Sequence, residues 1–247
     1  MILNLLQLGR VPYAEGLELQ RQLVEARHAD RIGNTLVLLE HPPVLTLGRN
    51  ASRAHILASN EFLAARGVEV HEINRGGDVT WHGPGQLVGY PIFDLRSYTP
   101  RLGAVDFVRR MEEALIRACG DFGVPTTRIP GRTGVWTLAS GTILEKKVAA
   151  IGVHIARGIT SHGFALNVNP DLRDFELIVP CGIADRAVTS LELEAEQESD
   201  PPPTMEAVRN AVARQFGRVF SLQVLATEAL SDLVPEPETI PAVAADL

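Results

Sequence analysis

Apolar residues recur at helical spacing in three stretches of the chain and form short runs elsewhere. Residues 14–27 (AEGLELQRQLVEAR), following Pro12, predict a helix. Residues 104–122 predict a longer one, in which Val108, Met111, Leu115, Cys119 and Phe122 form a single apolar stripe. A third helix over 205–220 starts at Thr204, a capping residue type, and places Val208, Val212, Phe216 and Val219 on one face. Ser59 caps a short helix through Arg66, which Gly67 ends. Apolar runs predict strands at 35–40, 44–48, 68–73, 87–93, 134–138, 146–157 and 163–168, with a last one over 221–226. His41-Pro42-Pro43 separates the first two, because proline interrupts a strand. There is no internal repeat. The mixture of strand runs and helical stripes argues for an α/β or α+β fold.

Three segments depart from these patterns. Residues 75–86, RGGDVTWHGPGQ, hold four glycines and a proline in twelve residues, with Arg75, Asp78, Trp81 and His82 interleaved. This predicts a loop in which glycine allows close backbone approach to a ligand, carrying more polar chemistry than a turn requires. Residues 194–203 (EAEQESDPPP) predict an exposed acidic loop. From residue 227 the chain holds three prolines, five acids and no base, which predicts a loosely ordered tail over 227–247 after a single domain spanning 1–226.

Composition narrows the function classes. The 247 residues are 45% hydrophobic and 21% charged, enough to bury a full core. No apolar run reaches the ~18 residues of a membrane helix. The start, MILNLLQLGRVPY, lacks the basic region and cleavage site of a signal peptide. Two cysteines, Cys119 and Cys181, make no disulfide framework, so a cytoplasmic protein with reduced thiols is expected. Residues 192–247 carry 11 Asp/Glu against 3 Arg, a net charge of −8, whereas residues 1–191 are nearly neutral. No basic block points to nucleic acid.

The chemistry concentrates in few residues. Of the 23 basic side chains only Lys146 and Lys147 are lysines, and they are adjacent. Lysine is the basic residue whose proton affinity responds to burial. By strand alternation Lys147 falls on the face of Ala149, Ile151, Val153 and Ile155, and Lys146 on the other, unless a bulge intervenes. An ammonium on the apolar face must find a partner or lose its proton, so Lys147 is the candidate functional lysine. Cys119 lies within a helical stripe and fits a buried small hydrophobe. Cys181, in LIVPCGIADRAVTSL, follows an apolar run and a proline. A nucleophilic thiol presented on a loop and a small core residue on a turn both fit that placement. An ammonium nearby would lower the thiol pKa and raise the thiolate fraction. His82, His154 and His162 lack zinc-ligand spacing, and no phosphate loop, nucleophile elbow or dinucleotide turn is present, so no metal or cofactor is expected. His41 and Asn167 fit structural roles.

Taken together, RGGDVTWHGPGQLVGYPIFDL, KKVAAIGVHI, GFALNVN and PCGI, in this order, resemble the lipoyl(octanoyl) transferase family, over about residues 5–225. Looser kinship runs to lipoate and biotin protein ligases. The resemblance implies a mixed, largely antiparallel sheet flanked by helices. It implies transfer of an octanoyl group from octanoyl-acyl-carrier protein to a lysine of lipoyl domains. Those acceptor domains belong to 2-oxoacid dehydrogenase complexes and the glycine cleavage H protein. It makes Cys181 the acyl-thioester nucleophile and Lys147 the residue that lowers its pKa. It makes Arg75, Gly76, Gly77, Asp78, Val79, Thr80, Trp81, His82, Ala150, Ile151, Gly152, Gly163, Phe164 and Ala165 the acyl-site lining. Trp81 departs from the family, where many members carry Tyr, so a hydrogen bond through that hydroxyl is lost. The alternative is an ATP-dependent lipoate or biotin protein ligase, which activates a free acid and needs no cysteine.

Overall fold

The structure is a computed structural model that describes residues 1–142, 144–179, 187–195, 202–227 and 230–233. The chain opens with strand β1 (Ile2–Arg10), helix α1 (Tyr13–His28), β2 (Asn34–Glu40) and β3 (Val44–Leu47). Next come α2 (Asn60–Ala65), β4 (Glu69–Glu72), β5 (Val79–His82), β6 (Gln86–Ile92) and α3 (Ala104–Gly120). Strands β7 (Thr126–Ile129), β8 (Arg132–Thr137), β9 (Lys147–Ala156) and β10 (Ile159–Asn167) follow. The last elements are α4 (Leu191–Ala195), α5 (Met205–Phe220), β11 (Gln223–Thr227) and α6 (Leu230–Leu233).

Eight strands form one sheet in the order β11-β1-β2-β6-β10-β9-β8-β7, and β4-β3-β5 form a second, three-stranded sheet. In the large sheet β1 runs parallel to β11 and β2, and every other pair is antiparallel. The expected mixed, largely antiparallel sheet flanked by helices is present. Helices α3 and α5 cover one face, packing Phe107, Met111, Leu115, Phe216 and Phe220 on Leu36, Leu38 and Phe164. Helix α1 covers the other, with Leu23 and Ala26 on Val37, Leu39, Val88 and Ile92. Strand β2 therefore buries Leu36 and Leu38 on one side and Val37 and Leu39 on the other, which is why it reads as a continuous apolar run. A third cluster, with Leu45, Leu47, Leu63, Val79, Trp81 and Phe175, packs behind the small sheet.

Local chemistry sets the helix starts. Ser59 Oγ accepts from Phe62 N–H at 3.2 Å, and Thr204 Oγ1 accepts from Ala207 N–H at 3.2 Å. Gly67 ends α2 at φ +65°, a backbone region that favours glycine. Cys119 is fully buried in α3, where desolvation pushes its thiol up to about 12.

Three strands differ from the sequence expectation. β1 occupies residues with no predicted element. β7 adds an edge strand beside β8. β5 lies inside the glycine-rich segment expected to be a loop, paired antiparallel with β3. The expected acidic loop gives up Glu194 and Ala195 to α4, and residues 196–201 lie outside the described residues. Thr227 closes β11 and α6 follows within the expected tail, whose residues 234–247 lie outside the described residues.

One buried carboxylate braces the β8 side of the sheet. Glu112 in α3 has no exposed surface. Its Oε2 accepts from Arg109 Nη1 at 2.7 Å and Arg128 Nε at 3.1 Å, and its Oε1 accepts from Gly134 N–H at 3.1 Å. Gly134 sits at φ +123°, where a Cβ would come within 2.6 Å of the Ala149 carbonyl. Glu112→Ala would leave the Gly134 N–H unpaired in the interior. It is expected to cost about 2–3 kcal/mol in urea denaturation, with Glu112→Gln costing less. A loss below about 0.5 kcal/mol, the scale of an ordinary surface substitution, would contradict this bracing role.

Candidate active site

The position of Lys147 is set by an irregularity between β8 and β9. Val135 pairs with Ala149, but Trp136 pairs with Lys147, so one step on β8 spans two residues on β9. The extra residue is Val148, and such a bulge shifts the alternation of side chains. Val148 and Ala149 are both fully buried in the cluster under α3 and α5, against which Ile151, Val153 and Ile155 also pack. Lys147 instead lines a small cavity with Thr80, Gln86, Ala150, Ala165, Asn167, Phe175 and Val188. It therefore lies on the face opposite to Ala149 and Ile151, not on the face that unbroken alternation predicts. Its Nζ sits 4.7 Å from the ring centroid of Trp136, where the ring quadrupole attracts a cation. Its backbone is held on the other edge too: Lys147 N–H donates to Ala187 O and Thr189 N–H donates to Lys147 O, each at 2.9 Å. Lys146 points elsewhere, with Nζ 2.5 Å from Glu194 Oε1.

Beside this cavity lies a mainly apolar pocket that is partly open to solvent. Its walls come from the 75–82 segment and from the facing strands β9 and β10. Arg75, Gly76, Gly77, Asp78, Thr80 and His82 line it, as do Ala150, Ile151, Gly152, Gly163, Phe164 and Ala165. Period-two alternation in β5 sends Val79 and Trp81 the other way, into the core behind the small sheet, and both depart from the expected lining. The Trp81 ring packs 5.3 Å from that of Phe175, and its Nε1 has no hydrogen-bond partner among the described residues. Thr80, Ala150 and Ala165 border both the pocket and the Lys147 cavity, so the two adjoin. Glycine is required where the walls meet: a Cβ on Gly152 would lie 2.6 Å from Gly76 O. Cys181 lies outside the described residues.

Tyr13, Val88 and Tyr90 also line the pocket without standing out in the chain, and so does His162. His162, at φ +54°, was visible only as a failed metal ligand. Trp136 under Lys147 was likewise visible only as part of a strand.

Two buried histidines, His82 and His162, line the pocket, a third, His41, stands behind its Tyr90, and all three resist protonation. His41 Nδ1–H donates to Val11 O at 2.6 Å, leaving Nε2 to accept from Tyr90 Oη at 2.6 Å. Burial lowers His41 to about 4, and burial with nearby His41 and Arg75 lowers His82 to about 3. Burial, then Arg75, lowers His162 to about 4. Arg75 is itself held by Thr46, with Nη2 2.7 Å from Thr46 O. Asn167 is engaged on both ends of its amide, with Gln86 and with Thr189 O.

Residues 12–217 match the family model of the lipoyl protein ligase A/B catalytic domain. The chain belongs to this family. Among its members it is 71% identical to the octanoyltransferase of Acidobacterium capsulatum, covering 97% of this chain and 99% of that one. It is 55% identical to the octanoyltransferase of Koribacter versatilis, covering 98% and 93%. At such identity over nearly the whole of both chains, the protein is an acyltransferase enzyme. Among solved structures it resembles a lipoate-protein ligase A bound with ATP, at TM-score 0.71 and 17% identity, covering 94% and 91% of the two chains. A putative lipoate protein ligase of T. acidophilum with bound lipoic acid gives 0.69 at 18%, with 94% and 91% covered. At these identities the likeness is one of fold.

The depressed histidines set a pH dependence of stability. An unfolded histidine titrates near ~6.5. Below that value the unfolded chain takes up protons that buried His41, His82 and His162 refuse until about 4 or 3. Stability is then greatest above pH ~6.5 and falls as pH drops toward the folded values. The melting temperature is expected to decline steadily from pH 7 to 5, and less steeply in His41→Gln. A flat profile over that range would contradict the assigned neutral state.

Proposed function

We propose that the protein transfers an octanoyl group from octanoyl-acyl-carrier protein to a lysine ε-amine of a lipoyl domain, in assembly of the lipoyl cofactor. The observation that carries this reading is the adjoining of an apolar, glycine-lined pocket and the cavity that holds Lys147. Burying each methylene of an acyl chain contributes about 0.8 kcal/mol, so the octanoyl tail supplies on the order of 5 kcal/mol to such a slot. The octanoyltransferase relatives support the acyl group, and the family supports a lipoyl domain as acceptor. The acceptors fitting this reading are the lipoyl domains of 2-oxoacid dehydrogenase complexes and the glycine cleavage H protein.

In this reading Cys181 is the nucleophile. Val179, two residues before it, donates its N–H to His55 O at 2.8 Å. Ala187, six residues after it, accepts from Lys147 N–H. Both ends of the segment carrying Cys181 are thus tied to fixed points, one of them the Lys147 peptide itself. The Cys181 thiolate attacks the octanoyl thioester of the carrier protein. A carbon–sulfur bond forms to Cys181, the bond to the carrier sulfur breaks, and the Lys147 ammonium gives the departing thiolate its proton, which leaves Lys147 neutral. The acceptor lysine then attacks the enzyme thioester. A carbon–nitrogen bond forms, Cys181 leaves as thiolate, and neutral Lys147 takes the proton lost by the amine. As an ammonium, Lys147 stabilises the thiolate.

Incubation with octanoyl-acyl-carrier protein is expected to add one octanoyl mass, mapped by peptide mass spectrometry to Cys181. An unchanged mass, or label on another residue, would overturn the thioester route. Amide formation from free octanoate and ATP would point instead to a ligase. Lys147→Arg keeps the charge but cannot exchange a proton readily, and is expected to lower turnover by about 100-fold or more. Near wild-type turnover in that variant would remove Lys147 from proton transfer.

A further inference from the structure

Between the pocket and Lys147 runs a chain of buried polar side chains whose hydrogen-bond direction is fixed from one end and matched at the other. At one end stands the Thr189 carbonyl, which can only accept, so the group facing it at 2.9 Å is Asn167 Nδ2. Asn167 Oδ1 must then meet a donor, which is Gln86 Nε2 at 2.9 Å. That leaves Gln86 Oε1 facing His82 Nδ1 at 2.7 Å, so His82 carries its proton on Nδ1. At the other end stands Arg75, which can only donate, with Nη2 2.8 Å from Thr46 Oγ1. The Thr46 hydroxyl proton is free to point to His82 Nε2, 3.3 Å away, which the first argument leaves as a lone pair. The Arg75 end is compatible with the direction that the Thr189 end requires. All six residues are buried. Gln86 and Asn167 are directly paired across β6 and β10, so their side chains share one face.

The far end of the chain bears on Lys147. Thr189 N–H donates to Lys147 O, and Thr189 Oγ1 donates to Glu194 Oε1 at 2.5 Å, the same oxygen that pairs with Lys146 Nζ. Asn167 therefore secures the peptide strip that runs along the outer side of Lys147.

We propose that Gln86 and Asn167 are positioning residues for acyl transfer, forming a one-way amide relay that fixes His82 as its Nδ1–H tautomer at the pocket wall and holds the strip bracketing Lys147. The second half of this inference rests on the reading of Lys147 as a reacting group; the first half does not. The relay assigns His82 a fixed hydrogen-bonding role with both ring nitrogens engaged, rather than that of a proton carrier.

The tautomer is read on the full-length free enzyme by long-range ¹H–¹⁵N correlation of ¹⁵N-histidine-labelled protein. The expected result is a protonated Nδ1 and an unprotonated Nε2 for His82; an Nε2–H tautomer or an averaged pair overturns the relay. Gln86→Met, similar in length but without an acceptor, is expected to release the lock and give tautomer averaging; an unchanged Nδ1–H signal counts against it. Asn167→Asp keeps an acceptor for Gln86 but loses the donor to Thr189 O. It is expected to preserve the His82 tautomer while lowering kcat for octanoyl transfer about 100-fold with KM changed less than about 3-fold, as displacement of a reacting group does. Unchanged kcat in that variant overturns the positioning of Lys147. Failure of the wild-type enzyme to octanoylate a lipoyl domain would defeat the functional reading, and the tautomer measurement would still decide the relay.

Discussion

Strand β9 carries one residue more than its neighbour β8 can match, and the placement of Lys147 depends on that surplus. Without the bulge at Val148, strand alternation would put the ammonium among the apolar side chains beneath α3 and α5, an environment that disfavours a charge. With it, Val148 and Ala149 both enter that core and Lys147 passes to the opposite face, over the Trp136 ring and beside Ala150. The surroundings fix the irregularity from several sides. Gly134 takes a backbone conformation that leaves room for the Ala149 carbonyl, and Glu112 holds the Gly134 N–H. The 187–189 strip closes the other edge through two backbone hydrogen bonds to Lys147.

The adjoining pocket joins an apolar floor to a buried polar frame. Gly152, Gly163 and Ala165 keep the strand faces low, so the space between β9, β10 and the 75–82 segment stays open. The polar groups around it are engaged with one another: Arg75 with Thr46, His82 with Gln86, His41 with Tyr90. Buried polar groups that are fully paired rigidify a site, whereas unpaired ones would be costly there. The histidines remain neutral at ordinary pH, so they add no charge to a slot suited to a hydrocarbon chain.

Much of this was legible in the chain itself, and the exceptions have physical causes. Helix α5 begins after Thr204 and spans 205–220 as its stripe predicts, because cap and periodicity agree. The pocket lining was carried by long motifs, and most of those residues do meet around one cavity. Strand β5 was hidden because Val79–His82 is only four residues long and lies between glycine pairs, so its alternation is too brief to stand out. That same alternation is what diverts Val79 and Trp81 into the core. The face of Lys147 was illegible because a bulge leaves no mark in the hydrophobic pattern when both residues involved, Val148 and Ala149, are apolar. The roles of Gln86 and Asn167 emerge only once β6 and β10 are paired, since the two are distant in sequence.

In the proposed mechanism the Lys147 ammonium acts on the Cys181 thiol. That action is read from the pH dependence of alkylation by iodoacetamide, in the wild type and in Lys147→Met. Cys119 is fully buried, with a thiol pushed up to about 12, and does not compete in the native state. The wild-type thiol is predicted to titrate well below the ordinary cysteine value of about 8.5, and the Lys147→Met thiol at or above it. Superimposable curves for the two proteins would rule out an action of Lys147 on that thiol.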